Sequence, residues 1–268
     1  MLKRILATGL LSLSLLQTTM AQQVKPCEEG EACTLALYSE VSEKWQFINP
    51  SRAHQDFAPY STFKIPNTLI LLETGQINSA DSYSIDLHRY PQQSWWFSSW
   101  REPAHKLKSA FDHSVLPLYQ QWSADLGKTA YEKYVAEFGY GNKDVSGPID
   151  RFWLGDSLQI SAVNQVEFLR KYKHRQLGLK DATYEEFAPV FLQRSGQNVR
   201  LYAKTGGGML PEGGARGWYV GIVEDAAGSH YFAFNMDAEN FSQLAKIRVE
   251  KALASLRTFN VSVPVMKD

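Results

Sequence analysis

Where the strand-like and helix-like segments fall along this chain constrains its fold more than any single motif does. The residues after Cys33 read TLALYSE and then KWQFINP, two short runs rich in β-branched and aromatic residues, separated by VSE. That is the pattern of a hairpin. Near the other end, VRLYAKTG, RGWYVGIVED and HYFAFNMD predict three more strands joined by turns, and FSQLAKIRVEKALASL predicts a closing amphipathic helix. Between them, from about Thr62 to Leu192, the patterns are mostly helical. PNTLILLETG starts near a proline and stops at a glycine, and VLPLYQQWSADLG and TAYEKYVAEFGYG each end at a glycine. SAVNQVEFLRKYKHRQLGL opens at Ser161, a residue suited to an N-cap. The simplest assembly pairs early and late strands in one antiparallel sheet, covered by the terminal helix, with a helical lobe over residues 62–192 inserted in the sheet lobe. The expectation is a two-lobed α/β (α+β) fold in which residues 22–268 form one unit and the active site lies in the cleft between the lobes.

The first residues do not belong to that pattern. MLKR is basic, ILATGLLSLSLL is apolar, and QTTMA ends in small residues. This is the make-up of a secretory signal over residues 1–21, with cleavage after Ala21. Its apolar part is about a dozen residues, against the roughly 20 a membrane span needs. The mature chain is therefore expected to be secreted, with a periplasm as the fitting compartment and no membrane attachment after cleavage. Lys and Arg number 28 and Asp and Glu 28, with no basic run, so nothing favours a nucleic-acid partner. The two cysteines, Cys27 and Cys33, enclose Glu-Glu-Gly-Glu-Ala. An oxidising compartment favours a disulfide that staples the N-terminus, and two free thiols are the other reading. No pair among the six histidines stands at ligand spacing on one predicted helix, so no metal is expected.

The chemistry-bearing stretch is STFK. Ser61 and Lys64 are three apart at a predicted helix start, which puts both on one face. A serine needs a nearby base to become a nucleophile, and a lysine among apolar residues loses its charge and becomes one. Alone, S-x-x-K is weak, since most such matches are plain helix surface. Two further elements accompany it. Ser114 in HSVLP can relay a proton, and Lys204-Thr205-Gly206 on a predicted strand can grip a carboxylate. An edge strand guarded by a lysine is the bland alternative for Lys204.

Taken together, Ser61-Thr62-Phe63-Lys64, Ser114-Val115-Leu116, Tyr140-Gly141-Asn142, Trp153 in DRFWL and Lys204-Thr205-Gly206 resemble the class D (oxacillinase-type) serine β-lactamases. The likeness runs on through QISA, FLRK, GWYVG and FNMD and covers most of the mature chain. It implies the β-lactamase and penicillin-binding transpeptidase fold, and small-molecule β-lactam substrates. It implies hydrolysis through a Ser61 acyl-enzyme, with no cofactor beyond the CO2 or bicarbonate that carboxylates Lys64. In that scheme N-carboxylated Lys64 is the general base, and Trp153 donates its indole N–H to it, although a core aromatic is the commoner fate of a tryptophan. The backbone N–H groups of Ser61 and Gly207 form the oxyanion hole. Ser114 and Lys204 move a proton to the leaving nitrogen, and Thr205 helps hold the substrate carboxylate. Phe63, Val115, Leu116 and Trp153 form the apolar wall around Lys64.

Four places depart from the family pattern. Leu116 replaces a valine, and Gly155 precedes Asp156 where an acidic or polar residue and then a glycine are usual. Gly207-Gly208 stand where the family carries an aromatic after Lys-Thr-Gly, which predicts a missing cleft wall and a looser strand end. The carboxylate-binding arginine of the last helix falls nearest Lys246, with Arg248 two residues on. Two residues apart on a helix is a different face, so one of them serves. Gly155-Asp156-Ser157-Leu158 also spells a lipase-esterase motif, but mid-chain and without the late Asp-x-x-His partner, and is read as coincidence. The rival readings are a β-lactam sensor that keeps its acyl group and a cell-wall transpeptidase or carboxypeptidase.

Overall fold

The computed structural model describes residues 24–264; the expected signal segment lies outside them. The predicted hairpin forms as β1 (Cys33–Ser39) and β2 (Lys44–Ile48), followed by the single turn α1 (Pro50–Ala53). The late strands are β6 (Arg200–Met209), β7 (Ala215–Glu224) and β8 (Ser229–Ala238), and the closing helix is α8 (Phe241–Arg257). Early and late strands do share one sheet: β1 pairs with β8 from Cys33 opposite Met236 to Ser39 opposite His230. A short strand not foreseen in the sequence, β5 (Leu192–Ser195), adds to the far edge. The order is β2-β1-β8-β7-β6-β5, antiparallel at every pairing.

Between β2 and β5 the chain forms the helices α2 (Lys64–Glu73), α3 (Leu107–Asp112), α4 (Leu116–Leu126), α5 (Lys128–Phe138), α6 (Ala162–Lys173) and α7 (Asp181–Phe191). Ser161 caps α6 as expected, its hydroxyl accepting from the Asn164 N–H. Residues 76–104 are the exception to the helical expectation. They hold β3 (Ser82–Tyr83), which pairs with β4 (His105–Lys106), and one tight turn over Ser98–Trp100. The run through Pro91 and Pro103 lacks a sustained apolar face that a helix could bury.

Period-two alternation sends the sheet's side chains into two cores. Ala36, Trp218, Val220, Ile222, Tyr231 and Ala233 pack against the inserted helices. Leu35, Leu37, Tyr219, Phe232, Phe234 and Met236 pack with Leu244, Leu253 and Leu256 of α8. The second core is closed at its end by the N-terminal segment, where Cys27 and Cys33 form a disulfide. Asn49 fills that loop, its Nδ2 donating to the carbonyls of Glu28 (2.9 Å) and Cys33 (2.8 Å). Among the described residues no helix is long and apolar enough to cross a membrane.

Candidate active site

Ser61 sits in one turn of 3-10 helix, Tyr60–Phe63, that runs straight into α2. The tighter turn keeps Ser61 and Lys64 in line, because residues three apart eclipse in a 3-10 helix. Lys64 Nζ donates to Ser61 Oγ at 3.0 Å. Lys64 is 1 % exposed. Burial, with the nearby Lys204 charge adding to it, holds its amine well below the ordinary 10.5. The amine rests 4.8 Å from the centroid of the Tyr119 ring. Tyr119 in turn donates to Thr68 Oγ1 (2.9 Å), which donates to the Lys64 carbonyl (2.6 Å).

Trp153 stacks on Phe63, the residue before Lys64, with centroids 5.4 Å apart. Trp153 is fully buried, and among the described residues its indole Nε1 has no hydrogen-bond partner. An unpaired buried donor costs on the order of 1–3 kcal/mol, so such a group implies an acceptor at that spot. Trp153 is held by a turn over Phe152–Asp156 in which Gly155 takes φ 121°. The Tyr140-Gly141-Asn142 segment braces the chain just beyond this turn. Asn142 Nδ2 donates to the Ser157 carbonyl (2.9 Å), and its Oδ1 accepts from the Gln159 N–H (3.1 Å). Tyr140 donates to Gln165, which donates to Thr62 Oγ1 (2.8 Å), so the same segment reaches back to the Ser61 turn. Ser157 Oγ is occupied between the Gly147 N–H and the Asp144 carbonyl, a loop tie with no part in a hydrolase elbow.

Ser114 precedes α4 with φ 53°, a left-handed conformation unusual for a residue with a side chain. Its hydroxyl accepts from Lys204 Nζ, which also donates to the Thr205 carbonyl (3.1 Å). Lys204 is not an exposed edge guard: it is 3 % exposed. Burial, with Arg248 adding to it and Asp112 opposing, brings its pKa down to about 7. Beyond Tyr202, β6 has no paired strand on its β5 side among the described residues, because β5 pairs only with Arg200–Tyr202. Alternate backbone N–H groups of the next residues therefore face away from β7, open to a ligand.

A cleft of 630 Å³ opens over the two serines, with Ser61, Ser114, Leu116, Thr205, Gly206, Gly207 and Arg248 around it; Lys64, Lys204 and Trp153 lie buried outside its lining. Arg248 is drawn from α8 into the cleft; its Nη1 reaches the Gly206 carbonyl (3.5 Å), and burial lowers its pKa to about 10. Lys246 is exposed and does not line the cleft, since two residues along a helix turn it to another side. Val115 is buried beside Lys64's helix and outside the cleft, while Leu116 and Leu154 form part of its wall. The looser strand end expected at Gly207-Gly208 is not found. β6 stays paired through Gly207–Gly217, Gly208–Arg216 and Met209–Ala215. The cleft wall comes instead from Trp95, Phe97, Trp100, Met209 and Phe241. Sequence reasoning missed those aromatics, and also Tyr119 and Thr68 beneath Lys64. Thr68 was open to discovery as the i+4 neighbour of Lys64; Tyr119 joins it only through the packing of α2 on α4.

The model of the penicillin binding protein transpeptidase domain matches residues 34–255. The β-lactamase OXA-19 of Pseudomonas aeruginosa is 39% identical over 207 residues, 73% of each chain. The β-lactamase OXA-48 of Klebsiella pneumoniae is 34% identical over 203 residues, 76% of this chain and 74% of its own. Among solved structures, the class D β-lactamase YbXI from Nostoc superposes with a TM-score of 0.79 at 31% identity, over 86% of this chain and 94% of that one. FUS-1, from Fusobacterium nucleatum subsp. polymorphum, superposes at 0.78 and 30% identity, over 85% and 92%. On these matches the chain belongs to the class D β-lactamases, serine enzymes built on the penicillin-binding transpeptidase fold.

Proposed function

We propose that the protein is an exported enzyme that hydrolyses β-lactams through a Ser61 acyl-enzyme, with N-carboxylated Lys64 as general base for both halves of the reaction. The observation that carries this reading is a buried amine, its pKa pushed well below the ordinary value by burial, 3.0 Å from a serine hydroxyl that lines an open cleft. Only a neutral amine attacks CO2. The Lys64 nitrogen bonds to the carbon of CO2, one proton leaves, and Lys64 ends as an anionic carbamate. What supports the fit is the Trp153 indole N–H, buried and without a partner among the described residues, on a ring stacked against Phe63, the residue before Lys64; it would donate to a carbamate oxygen.

In acylation, Ser61 Oγ bonds to the lactam carbonyl carbon as carboxylated Lys64 takes the hydroxyl proton. The oxyanion is held by the backbone N–H groups of Ser61 and Gly207. As the lactam C–N bond breaks, Ser114 gives its proton to the departing nitrogen and Lys204 restores it. Thr205 and Arg248 hold the substrate carboxylate. Between the two halves the proton taken from Ser61 leaves the Lys64 carbamate and Lys204 regains one, so both groups are reset. In deacylation the carbamate takes a proton from water as the water oxygen bonds to the ester carbon, and it returns that proton to Ser61 Oγ as the ester C–O bond breaks. The disulfide and the apolar N-terminal segment support an extracytoplasmic location.

The test is turnover of nitrocefin with and without added bicarbonate, beside the mass of the protein after penicillin exposure. Turnover that rises with bicarbonate is the expected result. A stable acylated mass with no product would replace hydrolysis by sensing.

A further inference from the structure

We propose that Tyr60 is a positioning residue: its ring, seated under Gly208, sets the gap between the Ser61 turn and the end of β6, and so the spacing of the two backbone donors. The inference rests on the acylation reading and concerns a residue to which that reading gives no role.

Three observations carry it. First, Tyr60 holds φ 48° directly before Ser61, a strained conformation for a residue with a side chain. The peptide that this conformation orients is the one that carries the Ser61 N–H. Second, the Tyr60 ring is 6 % exposed and belongs to the core on the helical side of the sheet. Third, ring and strand exclude one another. A Cβ on Gly208 would come 2.3 Å from Tyr60 Cε1 and 2.8 Å from Cδ1. Two residues earlier on the same face, a Cβ on Gly206 would come 2.8 Å from the Pro59 carbonyl oxygen and 3.0 Å from the Thr62 nitrogen. Gly206 and Gly208 thus let β6 lie directly on the turn, and Gly207 between them faces α8, where a Cβ would meet Leu244 at 3.1 Å and Arg248 at 3.2 Å.

A run of three glycines has no side chain of its own to fix its path. The Tyr60 ring supplies the missing contact from the opposite wall. One residue then touches both sides of the gap: through its peptide bond to Ser61, and through its ring to the neighbour of Gly207. The phenol oxygen has no part in this, so the role is steric.

The experiment is a double-mutant cycle of Tyr60→Ala and Gly208→Ala on the full chain, with Tyr60→Phe and Tyr60→Leu as companions. It reads the rate of covalent labelling by a fluorescent penicillin across its concentration range, together with the thermal midpoint. Displacing a reacting group by about 1 Å lowers a rate by about 10²-fold, and each single variant is expected to lose labelling rate on that order at saturation while half-saturation changes by less than about 3-fold. The double variant is expected to be no slower than the slower single, because both substitutions act on one contact. Tyr60→Phe is expected to label within about 3-fold of the parent, because the ring is retained. Tyr60→Leu keeps apolar volume without the ring and is expected to fold and label slowly, so a Gly208→Ala chain that does not fold leaves the test intact. Single effects that multiply in the double, or variants that lose only thermal midpoint, overturn the inference. A parent chain that is never labelled overturns the acylation reading instead.

Discussion

Two buried lysines, Lys64 and Lys204, each donate to a serine hydroxyl, yet their surroundings make them different reagents. Among the described residues the Lys64 amine has one hydrogen-bond partner, the Ser61 hydroxyl, with the Tyr119 ring 4.8 Å away. Lys204 has Ser114 and the Thr205 carbonyl as partners, and Asp112 and Arg248 close enough to act on its charge. The first surroundings offer a cation little beyond a ring face, so burial pulls the amine well below its ordinary pKa. In the second, burial, Arg248 and Lys108 outweigh the support of Asp112 and bring the pKa down to about 7, where a group can both give and take a proton. Burial alone does not decide what a lysine does; the number of polar partners left to it does.

The largest break in this contrast is Lys64→Ala. It is expected to reduce nitrocefin turnover by on the order of 10⁴-fold and to abolish any response to bicarbonate, the scale of a lost general base. The stability effect has the opposite sign. The folded-state pKa of Lys64 lies below 10.5, so the unfolded chain binds more protons, and the stability tied to this group is full above about pH 10.5 and falls as pH drops towards the folded value. Lys64→Met, which removes the buried amine and keeps volume, is expected to raise the melting temperature at neutral pH while eliminating turnover. A midpoint that falls instead would mean that the niche is not dry.

Trp153→Phe sharpens the comparison from the other side of the niche. It keeps a ring against Phe63 and removes only the indole N–H. The expected loss is about 10- to 100-fold at ambient CO2, matching one missing hydrogen bond to an anion, about 1.5–3 kcal/mol. Saturating bicarbonate should restore most of it. A loss that bicarbonate leaves unchanged would remove Trp153 from the carbamate and return it to the core.

How much of this could be read from the chain depends on the same division between local and distant contacts. The sheet was legible because alternation and turn residues are local, and the pairing of β1 with β8 followed from having strands at both ends. Ser61, Lys64 and the Lys204 strand were legible because their spacing places them on a helix face and on a strand. Residues 76–104 were not, because their order comes from packing: Trp100 donates to the His113 carbonyl (2.8 Å), a contact that no period in the sequence announces. The missing aromatic after Gly206 could be read as a gap. That the Tyr60 ring packs against Gly208 could not, since the two are 148 positions apart in the chain.

At the mouth of the cleft the contrast is between two cations of one helix. Arg248 is expected to carry the substrate carboxylate, and Arg248→Lys to raise KM about 10-fold, roughly 1.4 kcal/mol, with little change in kcat, because a lysine cannot make the planar two-point contact. Lys246→Ala should leave both constants alone. The reverse result would move the carboxylate site one helix face over.

The smallest effect belongs to Asp112→Asn, and it bears on why Lys204 titrates where it does. The Asp112 carboxylate raises the pKa of Lys204, against burial, Arg248 and Lys108, which lower it. Protonated Lys204 feeds Ser114, so acylation is expected to decline as pH rises through about 7, and kcat/KM reports this because it follows the free enzyme. Without the carboxylate, Lys204 loses its proton at lower pH, and the alkaline limb should move down. The move should stay under about one pH unit, because Asp112 is exposed and paired with Lys108 at 2.6 Å, and solvent and salt screen its charge. The shift should shrink as salt is added. An alkaline limb that stays put in Asp112→Asn, at low salt, would show that the proton reaching the leaving nitrogen does not come from Lys204.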